Sequence, residues 1–409
     1  MRNAKLIRHL FLVVVCAAVA RAVWAEPLLK PGDRMVFLGD SITEQRIYTR
    51  YVMNYFALHY PGANITFRNA GWGGDQVRPA LARLQRDVLS LRPTAVSVCF
   101  GMNDARYKAF TEKDYKVFVD GMSGIVSELK KAGVKIVLLT PGCVDVDNPV
   151  RTYLGGYNDT LAVYARGVCE LAKRENLPVC DIHEIMLSAQ TAAKARDPKF
   201  TMIPDGIHPS PPGQAIMAYG LLKALGCADH ASGLEIDAAK AVALPGKCAV
   251  RNLKIARDSV RFARRDEALP AYFDPEASVI FPYVPGIQEM NAYRFKVTGL
   301  KAGKWRLVVQ GVDVGEFSAE ALSAGIDLST SPGPWRALGE EVNRLSAEQE
   351  DLYYFRWREM GFAETPPVVK PEADGFIGRL DKLIASKETA RIHAAARVRD
   401  WKWSLTFAK

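Results

Sequence analysis

The chain has 409 residues, 49% of them hydrophobic and 24% charged, with a formal net charge of +9 at pH 7. This is length for one elaborated domain or two, and the ordinary composition, without repeats or low-complexity tracts, excludes fibrous, solenoid and disordered classes. The first 25 residues hold four of the positive charges (Arg2, Lys5, Arg8, Arg21) and no acid, so their removal leaves +5, which gives no case for nucleic acid.

In that leading segment Arg2, Lys5 and Arg8 precede an apolar run from Leu10 to Ala20, and Val23-Trp24-Ala25 closes on a small residue. The layout is that of a secretory signal peptide over 1–25, which predicts an exported protein, periplasmic or extracellular. A membrane anchor is the rival reading, but the run is shorter than the ~20 residues that span a bilayer. Val15 before Cys16 is not the small residue that a lipoprotein site prefers, and no later segment reads as a membrane span.

From Arg34 to about Cys227, short apolar runs alternate with helical patterns. The strands are predicted at Met35–Leu38, Ile65–Arg68, Ala95–Phe100, Val134–Thr140 and Val179–Ile182. The helices are predicted at Tyr48–His59, Val77–Leu91, Asp114–Lys131 and Gly156–Glu175, with one more after Pro212. Such alternation with continuous apolar strands indicates a parallel sheet covered on both faces, whose ligands sit beyond the carboxyl ends of its strands.

The remainder reads differently. Val279–Phe281, Tyr293–Val297 and Trp305–Gln310 alternate like strands, and Gly299–Gly303 has turn chemistry. Arg251–Arg265, the densest basic cluster, reads as two short strands with a solvated face. Ser346 with Gln349 is expected to cap a helix through Met360, and Asp374 another to about Arg397. The closing Trp401–Phe407 stretch alternates as a half-buried strand, its aromatics more plausibly core than sugar platform. Six cysteines follow the leader (Cys99, Cys143, Cys169, Cys180, Cys227, Cys248). In an exported chain they admit disulfides, Cys227–Cys248 being the first choice.

Four loop stretches carry chemistry. "GDSIT" (Gly39–Thr43) follows the first strand; alone, Ser41 or Thr43 reads better as a helix cap than as a nucleophile, which needs a base. "NAGWGGD" (Asn69–Asp75) offers the Gly74 N–H, and "FGMND" (Phe100–Asp104) the Asn103 amide, as donors to a developing oxyanion, although each could be only a turn. "DGIHPS" (Asp205–Ser210) places a carboxylate three residues before His208, so that Asp205 can hold one ring nitrogen while the other accepts the serine proton. His183 is the competing base.

These four motifs, in the order Ser, Gly, Asn, His, resemble the SGNH, or GDSL-type, hydrolase superfamily; Ile42 stands where the family's leucine is usual. The resemblance spans about half the chain. It implies an α/β, flavodoxin-like three-layer sandwich with a central parallel sheet over residues 26–228. Residues 229–409 then form a C-terminal mixed β/α extension, β-rich then helical. It also implies Ser41 as nucleophile, His208 and Asp205 completing the triad, and an oxyanion hole made by Ser41 N–H, Gly74 and Asn103. Neither metal nor cofactor is expected. No GxSxG occurs, which argues against the nucleophile elbow of ordinary α/β-hydrolases.

For substrate, Arg46, Trp72, Asp75, Arg106 and Tyr107 lie near these loops and suit a sugar ring better than a long acyl chain. The expectation is removal of small acyl groups, acetyl foremost, from carbohydrate. A short-chain lipid or general carboxylesterase is the alternative, and a catalytically silent glycan-binding protein the alternative of another class.

Overall fold

The computed structural model describes residues 27–227, 230–362, 364–397 and 400–408. The leader and Cys16 lie outside the described residues. The first half is built from β1 (Arg34–Gly39), α1 (Ser41–Glu44), α2 (Ile47–His59), β2 (Thr66–Gly71), α3 (Val77–Asp87) and β3 (Ala95–Cys99). It continues with α4 (Glu112–Lys131), β4 (Lys135–Leu139), α5 (Tyr157–Glu175), β5 (Val179–Cys180), α6 (Ile182–Lys194) and α7 (Pro211–Ala224). The five strands pair in parallel in the order β2-β1-β3-β4-β5. That is the flavodoxin-like order, and its switch point lies between β1 and β3. Gly39, Gly71 and Cys99 are in register, so β1, β2 and β3 end level.

The strands fall within a residue or two of the expected ranges, except β2, which runs three residues past Arg68 to Gly71; β5 stops at Cys180 because Asp181 caps α6 by accepting the Glu184 N–H. That helix holds His183, which the sequence placed beside a strand. The expected Val77–Leu91 helix breaks at Val88 into α3 and a 3-10 turn over Leu89–Leu91.

The second half contains β6 (Ser232–Asp237), β7 (Val242–Gly246), β8 (Cys248–Ala256), β9 (Ser259–Asp266), α8 (Gly286–Asn291), β10 (Tyr293–Thr298) and β11 (Lys304–Val309). After them come β12 (Val312–Ser318), α9 (Ala319–Ala324), β13 (Ile326–Asp327), α10 (Pro334–Tyr354), α11 (Lys370–Ala396) and β14 (Asp400–Phe407). They form a mixed sheet, β13-β10-β6-β7, and an antiparallel one, β12-β11-β14-β9-β8. The final strand is thus central, and its Trp403 stacks on Phe262 and Trp335 at 5.6 and 5.8 Å between ring centres. Each such pair contributes about 0.5–1.5 kcal/mol beyond area burial. The basic Arg251–Arg265 segment is the β8–β9 hairpin.

Three expectations for this half are overturned. Val279–Phe281 is part of a 3-10 helix, Pro275–Tyr283, because Ala277, Ile280 and Phe281 point inward at helical spacing while Val279 is exposed. Ser346 caps nothing: α10 begins at Pro334, and the buried Ser346 hydroxyl donates to Asn54 Oδ1 on α2. The next helix starts at Lys370, with Pro371 in its first turn, rather than at Asp374.

α2 is buried on nearly every side, as its run Tyr51–Leu58 demands, because α10 and α11 pack over it. Ile280, Phe281, Tyr353, Trp357 and Ile384 from the second half join the core of the first.

All six cysteines carry free thiols, which corrects the expected bridge. Cys227 is buried in the first core, whereas Cys248 lies in the second and donates to Gly233 O. Burial pushes the Cys227 thiol up to about 12. Alkylation of the folded protein with iodoacetamide, read by mass spectrometry, should therefore modify at most the half-buried Cys169 among these six. Rapid labelling of Cys227 or Cys143 would contradict this packing.

Candidate active site

Ser41 is the first residue of α1, two positions past the end of β1. Asp40 is the cap: its carboxylate accepts the Ile42 N–H at 3.0 Å. Thr43, the other expected cap, bonds through its hydroxyl to Tyr48 OH at 2.9 Å. The serine hydroxyl is thereby left to His208, whose Nε2 lies 2.9 Å from Ser41 Oγ.

His208 comes from the loop before α7. Its Nδ1 donates to Asp205 Oδ2 at 2.7 Å, while the backbone N–H groups of Ile207 and His208 donate to Oδ1 at 2.9 and 2.7 Å. A carboxylate on Nδ1 puts the proton there and leaves Nε2 as the acceptor for the serine hydroxyl. Burial pushes the Asp205 carboxyl up, but the His208 ring and the two backbone donors outweigh it, so it lies below the ordinary range. His183, the competing base, is buried on α6 with its Nδ1 donating to Gly142 O.

The turn after β2 is closed by Asp75 N–H donating to Trp72 O, with Gly74 at φ +73°, a backbone conformation that side chains disfavour. Across from it, Asn103 Nδ2 donates one hydrogen to Asp75 O at 3.0 Å, leaving its second hydrogen. Tyr107 OH donates to Asn103 Oδ1 at 2.6 Å, and Gln76 Nε2 to Asn103 O at 2.9 Å, so the amide orientation is fixed. Arg106 and Tyr107 are both left-handed, φ 57° and 54°, a costly pair that carries the Tyr107 hydroxyl back to Asn103.

The five expected substrate contacts fare unequally. Asp75 is buried and paired with Arg83 at 2.7 Å, so it holds the loop instead of a ligand. Trp72 has the Arg358 guanidinium over its ring at 3.6 Å, and Arg46 lies over Tyr354 and pairs with Asp351. Arg106 is exposed and pairs with Asp114, and Tyr107 serves Asn103. Residues that sequence reasoning passed over lie on the other flank. There Asn148, Val150, Arg151, Tyr153 and Pro204 join Asp205 in lining a groove of about 470 Å³, with Arg151 Nη2 3.5 Å from Asp205 Oδ2. This loop follows β4, so the carboxyl-end rule applied to that strand points to it. Nothing in the sequence links Arg358 to this site.

A parallel 2-1-3-4-5 sheet with serine, histidine and aspartate aligned at its switch point defines, with the relatives below, a carboxylic ester hydrolase. Residues 37–216 match the GDSL-like lipase/acylhydrolase family. An acetylxylan esterase of Geobacillus stearothermophilus is 28% identical over 48% of this chain and 94% of its own length. An isoamyl acetate-hydrolyzing esterase of Saccharomyces cerevisiae is 23% identical over 47% and 86%. Among solved structures, a gut microbial diltiazem-metabolizing enzyme superposes with a TM-score of 0.81 over 93% of this chain and 98% of its own, at 24% identity. That likeness establishes the fold of both halves.

Burial raises Asp40 from 3.8 to about 7, with Asp104 and Asp75 nearby adding repulsion. A carboxyl whose folded value exceeds its unfolded one favours folding below the unfolded value and loses that advantage as pH rises to about 7. Asp40→Asn, which keeps the acceptor for Ile42 N–H, should therefore raise the melting temperature by a few degrees at pH 8. The gain should vanish at pH 4. Thermal melts at both values check this, and equal gains at both would refute it.

Proposed function

We propose that this protein is an exported serine esterase that removes small acyl groups, acetyl foremost, from carbohydrate. The observation that carries the proposal is the unbroken line Ser41 Oγ–His208 Nε2 at 2.9 Å and His208 Nδ1–Asp205 Oδ2 at 2.7 Å. In this reading His208 takes the Ser41 proton as Oγ attacks the ester carbonyl. The tetrahedral oxyanion is held by Ser41 N–H, Gly74 N–H and Asn103 Nδ2. Collapse expels the alcohol, protonated by His208, and water then releases the acid with the same base. No metal or cofactor takes part.

The acetyl assignment draws on two relatives whose names specify acetate esters, an acetylxylan esterase and an isoamyl acetate-hydrolyzing esterase. For the carbohydrate, the groove beside Asp205, with half-exposed Tyr153 and the Arg151 guanidinium, offers a ring face and donors where Trp72 no longer does. Export draws on the charge and apolar pattern of residues 1–25. None of the described helices is long and apolar enough to cross a membrane. Residues 26–228 are the proposed catalytic unit and 229–409 its extension.

Ser41→Ala should abolish hydrolysis of p-nitrophenyl acetate and labelling by a fluorophosphonate. Wild-type rates in that variant would refute the mechanism, and absent labelling of the native chain would favour a silent binding protein. Asn103→Ala should lower kcat by about 10²–10³-fold without unfolding, the usual loss for one oxyanion donor. Acetylated xylan and acetylated amino sugars should be better substrates than p-nitrophenyl octanoate; preference for the octanoate would move the assignment to a general carboxylesterase.

A further inference from the structure

Beyond α10 the chain makes a π-helical turn, Phe355–Met360, that returns to the site from the second half. Arg358 on this turn donates through Nη1 to Glu44 Oε1 at 2.9 Å, and Tyr354 OH donates to the same oxygen at 3.2 Å. Glu44 is the last residue of α1, the helix that Ser41 opens. Its other carboxylate oxygen lies against the turn after β2, since a Cβ built on Gly73 would stand 2.8 Å from Oε2. The Arg358 guanidinium also covers the ring of Trp72, at 3.6 Å, and the edges of Trp357 and Phe362 pack on that ring. Both Arg358 and Glu44 are about four-fifths buried.

The same arm reaches this turn by a second route. Glu350 on α10 accepts from Thr49 Oγ1 at 2.8 Å, Thr49 Oγ1 accepts from Asn69 Nδ2 at 3.2 Å, and Asn69 Oδ1 accepts from Gly71 N–H at 2.8 Å. The turn is thus held at Gly71 through one relay and at Trp72 and Gly73 by the other.

We propose that Arg358 is a positioning residue for ester hydrolysis: by clamping Glu44 against Gly73 and seating Trp72, it fixes the distance between the Ser41 helix and the Gly74 N–H. The inference rests on the serine-esterase reading above. It assigns the C-terminal arm a part in building the oxyanion hole. Arg358 does not touch the ester in this role, so its loss acts on the transition state and not on substrate binding.

Steady-state hydrolysis of p-nitrophenyl acetate by the full chain tests this. Arg358→Gln should lower kcat about ten- to a hundredfold, the scale of a misplacement near 1 Å, with KM within about twofold. Glu44→Gln breaks the same contact from the other side and leaves the arm's packing intact, so it should give the same loss. The double variant should be no worse than either. Arg356→Gln, on the same turn but paired with Asp381 of α11 at 2.9 Å, should keep the native kcat. The proposal is overturned if Arg358→Gln and Glu44→Gln keep kcat within twofold, if their effect lies in KM, or if Arg356→Gln loses as much. Activity in Ser41→Ala would instead bring down the esterase reading.

Discussion

The site depends on a close approach between backbone segments: α1 sits directly on the carboxyl ends of β1 and β2. A Cβ on Gly71 would run into the backbone of Thr43 and Glu44, and one on Gly39 would run into the Thr43 side chain. Main chain cannot step aside, so glycine at these two positions lets the chain turn into a helix immediately after the strand. Trp72 N–H then donates to Gly39 O, extending the parallel ladder by one bond past the strand ends. The serine loop and the glycine turn therefore leave the sheet as one piece. The half-buried Ser41 keeps its hydroxyl for His208 because Asp40, and not the serine, satisfies the helix start.

Side chains from neighbouring loops complete the backbone hydrogen bonding around this contact. Asn69 donates to Thr43 O and accepts from Gly71 N–H, tying α1 to the turn. Asp104 accepts from Gly101 N–H at 3.0 Å and Val77 N–H at 2.9 Å, tying the loop after β3 to the start of α3. Burial drives Asp104 up to about 7, like Asp40, so these carboxyls cost stability near neutral pH. What the cost gains is loops whose donors have no alternative arrangement, since a buried N–H without a partner is itself unfavourable. An oxyanion hole works by being in place before charge develops, and this network supplies that rigidity.

The parallel sheet was legible because each buried strand is a continuous apolar run, and the strand order followed from family resemblance. The Ser41, Asp205 and His208 cluster was legible because its members fall in short loops with local signatures. Contacts made at long range were not. Ser346 reads locally as a capping residue, yet tertiary burial against Asn54 places it mid-helix. Trp72 reads as a free aromatic, yet a guanidinium 286 positions later covers it. Pattern reasoning sees which residues face inward along one element, not which distant side chain occupies the face of another.

The same limit explains why the extension looked separable. The family match ends at residue 216, and everything that covers the outer side of α2 comes after it. A helix with Tyr51, Val52, Met53, Tyr55, Phe56 and Leu58 all buried has no face left for water. Residues 26–228 alone would expose much of that surface, so α10 and α11 are part of the first unit's packing. A second core, from Leu234 to Leu405, does form beyond residue 228, but residues of the second half such as Tyr353, Trp357 and Ile384 belong to the first. Arg358 and Glu350 follow from this arrangement: the helices that seal α2 run straight on to the turn beside Ser41.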